Sequence, residues 1–192
     1  MKKYNKSQVT QKKIIDVATK LFFENECNDV SVSKICSLAG VSTGSFYHQI
    51  GSKENLIKIT YETYIEESVA LLEKMKDSSA IEKIKFVIDR YISHTLIYGY
   101  KYYKYFFKLG LENKLPLRKE GTPTMYSYIK KFTELGVSQK EFNSKYSSDE
   151  IYKTILSAAR GSVYEWCLSE GTLDLKAGIS LHLKILFDEF QK

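Results

Sequence analysis

Cysteine, proline and long apolar runs are all scarce in this chain. Its three cysteines, Cys27, Cys36 and Cys167, show no CxxC spacing and no neighbouring histidine cluster. That argues against a disulfide framework and a structural zinc, and no metal or cofactor is expected. With only two prolines, Pro116 and Pro123, almost the whole length is free to be helical. No stretch approaches the ~20 apolar residues of a membrane span. The basic start is followed by an apolar run interrupted by Asp16, Thr19 and Lys20, unlike a signal peptide. The expectation is a cytoplasmic protein with no membrane partner. Arginine is rare too, three against 26 lysines, so bidentate guanine readout has few candidates. No paired nucleophile and base, phosphate loop or metal cluster is present, which argues against an enzyme.

What is there is helical. Apolar residues make up 43% of the chain and recur every three or four positions, while strand-like alternation is absent. The fold class read from this is all-α. The net charge is +6, and residues 1–58 hold nine lysines against five acids, so the basic excess sits at one end.

That end contains ICSLAGVSTGSFYHQIGSKENL, Ile35 to Leu56. Ala39-Gly40-Val41 forms a turn in which Gly40 ends one helix in the left-handed conformation and Ser42 caps the next. The second helix, Thr43 to Gln49, opens on small residues that let its backbone approach a groove. A helix-turn-helix in a basic segment makes double-stranded DNA the leading partner. Lys2, Lys3 and Lys6 form either a DNA-binding arm or a solubilising tail.

Around this motif, Ser7 caps a first helix to about Asn25, with Val9, Ile14, Ile15, Ala18, Leu21 and Phe22 inward. Ser31 caps a short helix with Val32, Ile35, Cys36 and Ala39 inward. A long helix runs from Ser52 to about Met75, and at ~1.5 Å per residue it can join a head to a separate body. A helix from Ala80 breaks near Gly99 before an aromatic segment, Tyr100 to Leu111. Pro123 suits the first turn of a helix to about Leu135, Ser148 opens another to about Ser169, and the last ends near Phe190. The pattern predicts about nine helices: a head of residues 1–51 and a helical body of residues 52–192.

Over Ile14 to Ile57 the chain resembles the TetR family of transcriptional regulators. IIDVATKLFFEN is similar to that family's first helix, SVSKICSLAGVSTGSFYHQI to its turn motif, and GSKENLI to the start of its fourth helix. Beyond Ile57 only the helical layout and ARGSVYEWCLSEG carry the likeness. Glu26, Cys27 and Ile50 depart from the family pattern as repacking of the head, and Val30 in place of a frequent threonine leaves Ser31 as the evident cap. The resemblance implies groove contacts from Thr43, Gly44 and Ser45, phosphate contacts from Tyr47, His48 and Lys53, and caps at Ser31 and Ser42 facing the DNA. It also implies a homodimeric repressor on an imperfect palindromic operator, released by a small-molecule effector. Control by a partner protein or by cysteine oxidation is the alternative, and a carrier or enzyme a further one.

The body's rings can line an effector pocket or form plain core. Tyr91, Tyr98, Tyr102, Tyr126 and Trp166 are the candidates, with Arg90 and His94 one turn apart on one helix face as a polar end. Ser157-Ala158-Ala159-Arg160-Gly161-Ser162 permits close helix approach, and Ile179, Leu183, Leu186 and Phe187 give the last helix an apolar face. Ala158, Gly161, Ser162 and these four are the candidate dimer interface, the resemblance implying a four-helix bundle between subunits. His182 reads as an interface or surface residue.

Overall fold

The computed structural model describes residues 6–115 and 123–191. Lys2, Lys3, the side chain of Lys6, Pro116 and Gly121-Thr122 lie outside them. Eight helices occur there: α1 Lys6–Glu24, α2 Val32–Ala39, α3 Thr43–Gln49, α4 Lys53–Leu72, α5 Ala80–Leu111, α6 Met125–Ser138, α7 Ser148–Leu168 and α8 Leu175–Phe190. No strand occurs among the described residues.

The ninth helix of the sequence reading is the second limb of α5. The helix runs through Gly99, whose backbone is non-helical at φ 82° and ψ 166°, a region essentially closed to residues with a Cβ. A Cβ there would also lie 2.8 Å from the Phe23 ring, so conformation and packing both require glycine. Two other helix starts shift. Ser7 is inside α1 and its hydroxyl donates to Gln49 Oε1 at 2.7 Å, tying α1 to the end of α3. Pro123 precedes the cap of α6: Thr124 is the N-cap, and its side chain and that of Ser127 close each other's backbone N–H groups. Val9, expected inward, is exposed.

The chain divides into two compact units, Met1–Thr63 with Tyr98–Leu115, and Tyr64–Ile97 with Pro116–Lys192. In the first, Ile14, Ala18 and Phe22 of α1, Ile35 and Cys36 of α2, Phe46 of α3 and Leu56 and Ile57 of α4 are buried as a shared core. Tyr102 and Tyr103 from the second limb of α5 are fully buried in it, and the Tyr102 hydroxyl shares a 2.7 Å hydrogen bond with Thr60 Oγ1. The same limb closes the end of α1, Lys101 Nζ donating to Glu24 O at 2.7 Å.

The second unit packs α6, α7 and α8 with the end of α4 and the first limb of α5. Ile84, Ile129, Ile151, Ile155, Ala159 and Val163 are fully buried, and Phe142 stacks on Phe187 at 6.4 Å between centroids. The start of α5 is capped from 60 residues away: Ala80 and Ile81 donate their N–H groups to the two Glu141 carboxylate oxygens at 2.7 and 3.0 Å. Glu141→Ala leaves both donors without that partner and should cost about 1 to 3 kcal/mol, read as a lower urea midpoint at unchanged slope.

Candidate nucleic-acid interface and body sites

The turn forms as its residues dictate. Gly40 takes φ 65° and ψ 40°, its N–H reaching Cys36 O and Ser37 O at the end of α2. Val41 N–H also bonds Cys36 O at 3.0 Å. Ser31 caps α2 by accepting from Lys34 N at 3.1 Å, and Ser42 caps α3 by accepting from Ser45 N at 3.1 Å. Phe46 is fully buried and Ile50 nearly so, and they anchor α3 from below.

The opposite face of α3 is open. Thr43, Gly44, Tyr47 and His48 are exposed and Ser45 half-buried, with Tyr47 held edge-on to Phe46 at 5.6 Å. Gly44 has an ordinary helical backbone, and a Cβ on it would meet only Ser42 Oγ, at 3.9 Å. Nothing inside the chain needs glycine there. Ser31 and Ser42 are exposed too, each with its hydroxyl hydrogen still available while the oxygen accepts the cap bond.

Lys53, expected at a phosphate, is placed otherwise. Its ammonium donates to Cys27 O at 2.7 Å, Val30 O at 3.2 Å and Asn28 O at 3.3 Å, over the Tyr105 ring at 5.7 Å. Its three N–H bonds have three carbonyl acceptors inside the head. Lys34, on the exposed side of α2, is a lysine the sequence reading passed over; its place three residues after the Ser31 cap was the available signal.

The candidate effector residues fall into separate surroundings. In the second unit, the Arg90 guanidinium lies 5.0 Å from the Tyr64 ring centroid, donates to Ser68 Oγ at 3.2 Å, and sits 4.0 Å from Glu67. His94 packs against the same Tyr64 at 4.4 Å. Burial, and then the neighbouring Arg90 charge, push the His94 pKa down to about 3, so the imidazole is neutral. Tyr64 was missed as a member of this group; as one more inward position of the long helix, it carried no separate signal. Tyr91 is buried, and Tyr126 lies under Arg160 at 5.5 Å. Tyr98 and Tyr102 pair at 4.6 Å in the first unit. Trp166 belongs spatially with α7 and α8.

Those two helices form an open groove of about 550 Å³ lined by Ala158, Gly161, Ser162, Trp166, His182 and Leu186, among others. Ser162 Oγ and His182 Nδ1 hydrogen-bond across it at 2.9 Å. Tyr164, Leu168, Leu181 and Ile185 are large apolar side chains exposed on the same pair of helices, and Leu173 on the loop between them. Three of the expected interface residues do not face this groove. Ile179, Leu183 and Phe187 line the adjoining face of α8 with Lys85, Ile88 and Ile92 of α5, and Ile179 and Phe187 are buried there. The helix is apolar on two adjoining faces. The stripe at i, i+4, i+8 serves the core of its own unit, and the neighbouring one is left outward.

Among the described residues, no group of His, Cys, Asp and Glu is assembled to hold a metal ion, and no helix is long and apolar enough to cross a membrane.

Residues 14–58 match the model of the family described as bacterial regulatory proteins, tetR family. No curated protein sequence matches the chain. Among solved structures, a transcriptional regulator of the TerR/AcrR family from Aquifex aeolicus is similar at 22% identity and TM-score 0.62, covering 94% of this chain and 99% of that one. The regulator FadR from Bacillus subtilis, solved with stearoyl-CoA, is similar at 20% identity and TM-score 0.60, with 93% and 98% covered. A gamma-butyrolactone receptor, described as ArpA-like, is similar at 18% identity and TM-score 0.62, with 98% and 91% covered. Residues 14–58 are therefore similar to the tetR family of bacterial regulatory proteins, and the chain as a whole has the fold of these solved regulators.

Proposed function

We propose that this protein is a homodimeric transcriptional repressor whose two α3 helices read an imperfect palindromic operator, and which a small-molecule effector releases from DNA. The observation that carries the reading is the exposed start of α3, where Gly44 has no role in the fold. Thr43 and Ser45 beside it supply short polar side chains to base edges, and Tyr47, His48, Ser31 and Ser42 supply phosphate contacts. In this reading residues 1–51 engage DNA, and residues 52–192 hold the effector and the second subunit. The outward apolar face of α7 and α8 supports dimerisation, since a monomer rarely keeps such a patch in water. One similar protein is solved with stearoyl-CoA and another is a butyrolactone receptor. They support an effector that joins an apolar part to a polar one, with Arg90, His94 and Tyr64 as the polar contacts in the body.

Control by cysteine oxidation finds less support. All three thiols are buried, and burial pushes Cys27 up to about 12, so it is a neutral thiol at physiological pH.

Three outcomes test this reading. Gly44→Leu should leave the thermal midpoint unchanged or raise it, because leucine favours a helix by up to about 1 kcal/mol over glycine, yet it should abolish retention of operator fragments selected from genomic DNA. Thr43→Ala and Ser45→Ala should instead alter which fragments are retained, at roughly 1 to 3 kcal/mol per lost base contact. Tight binding by the leucine variant would overturn the assignment of α3.

The second outcome concerns assembly. A Cβ at Gly161 meets nothing within 4 Å in the subunit, so Gly161→Leu should fold normally while sedimenting as a monomer at micromolar concentration.

The third is chemical. In the folded protein Cys27, Cys36 and Cys167 should resist a thiol-exchange reagent at neutral pH, and peroxide should not change DNA affinity.

A further inference from the structure

We infer that Arg160, stacked on the Tyr126 ring, is an anion subsite in the body that takes the carboxylate of an organic acid. That such an acid also releases the protein from DNA rests on the function proposed above.

Lysine supplies 26 of the 29 cationic side chains and arginine only three. The two arginines among the described residues, Arg90 and Arg160, both belong to the second unit, and each is half-buried with its guanidinium over a tyrosine ring, at 5.0 and 5.5 Å. They differ in what else they touch. Arg90 donates to Ser68 Oγ at 3.2 Å and has Glu67 at 4.0 Å. Arg160 has no carboxylate within 4.0 Å and donates no hydrogen bond among the described residues, so the Tyr126 ring face is all that meets its charge there.

Neither helix beside it supplies an anion. One turn away on α7 stand Leu156, Ser157, Val163 and Tyr164, none of them acidic. Tyr126 is the second residue of α6, after the Thr124 cap and Met125, and the first turn of α6 holds no acid. The positive end of that helix dipole and the guanidinium have the same sign, so packing them together is unfavourable until an anion joins them.

A guanidinium carries five N–H donors in a rigid planar fork that matches two oxygens of one anion. Half-withdrawn from water without an acceptor, it costs the free protein stability that a ligand returns on binding. The surroundings select the kind of anion. Thr124, Met125 and Tyr126 on α6 and Leu156 and Val163 on α7 are buried, and one positive charge beside them balances one negative charge. A carboxylate brings one. A phosphate monoester brings about 1.5 to 2 at neutral pH, leaving an unmatched remainder at a half-dry site.

The test is calorimetric titration of the full chain without DNA, using decanoate, phenylacetate, their methyl esters and decyl phosphate as probes. Wild type is compared with Arg160→Met and with Arg160→Lys, which keeps a charge but not the fork, all at a temperature where circular dichroism shows native helix content. Wild type should bind the acids more tightly than their esters by about tenfold or more, the loss expected for one charge-assisted pair. Methionine should abolish that preference and lysine should reduce it several-fold. Without any acid present, the methionine variant should melt at the wild-type temperature or above it, because an unopposed charge has been removed.

No binding of either acid to wild type, or equal binding of acid and ester, overturns the inference. So does a methionine variant that melts lower and still prefers the acid, which would make the stacking on Tyr126 purely structural. Should methionine prevent folding, a wild-type preference in the lysine variant overturns it as well. Tighter binding of decyl phosphate than of decanoate overturns the carboxylate in favour of a phosphate. Binding of an acid that leaves retention of operator fragments unchanged would uphold the subsite and refute its part in release from DNA, so the two readings fail separately.

Discussion

Every helix end leaves backbone groups without intrahelical partners; in this chain most are closed by a neighbouring serine, threonine or aspartate, but the end of α1, the loop after it and the start of α5 are closed by charged side chains from far along the sequence. Lys101 and Lys53 bring ammonium groups to the carbonyls at and after the end of α1. Glu141 brings a carboxylate to the N–H groups that open α5. Lys101 and Glu141 follow the helix dipole, a cation at a carbonyl end and an anion at an amide end, while Lys53 meets the carbonyls of the loop. Each bond of this kind contributes about 1.5 to 3 kcal/mol, more than a neutral hydrogen bond. Their larger consequence is geometric, because a capped end fixes where the following loop begins.

The glycines divide by what surrounds them. Gly99 and Gly136 are enclosed, a Cβ on either falling within 2.8 Å of a phenylalanine ring, so their smallness serves the interior. Gly44, Gly161 and Gly178 are open; a Cβ would meet nothing closer than 3.9 Å. All three lie where outside partners are proposed, Gly44 at the start of α3 and Gly161 and Gly178 on the α7–α8 groove.

Much of this was legible in the sequence because the deciding signals are local. α3 was read at Thr43 to Gln49, as found, since a left-handed glycine and a serine cap sit within three residues of its start. The break at Gly99 was legible for the same reason, although the limb after it continues α5. Local signals misled where two caps competed: Pro123 offered a helix start, but Thr124 and Ser127 form the reciprocal cap. They also failed on α8, where helical spacing shows that Ile179, Leu183 and Phe187 share a face but not which of two apolar faces turns inward. The partners of Lys53, Lys101 and Glu141 lie 23 to 77 residues away, and no spacing rule reaches that far. The carbonyl partners of Lys53 within the head are therefore visible only in the fold.

The composition of the first compact unit bears on how portable its DNA-reading part is. Its residues come from two stretches, Met1–Thr63 and Tyr98–Leu115, and the second stretch supplies Tyr102 and Tyr103 to the core and Lys101 to the end of α1. A chimera joined after Gly51, or even after Thr63, would graft a reading head stripped of two buried aromatic rings and of the cation that ends its first helix. Exchange of heads between relatives thus has to carry a piece of the body along. Recombination at that junction is penalised by the core rings and the helix cap it would remove.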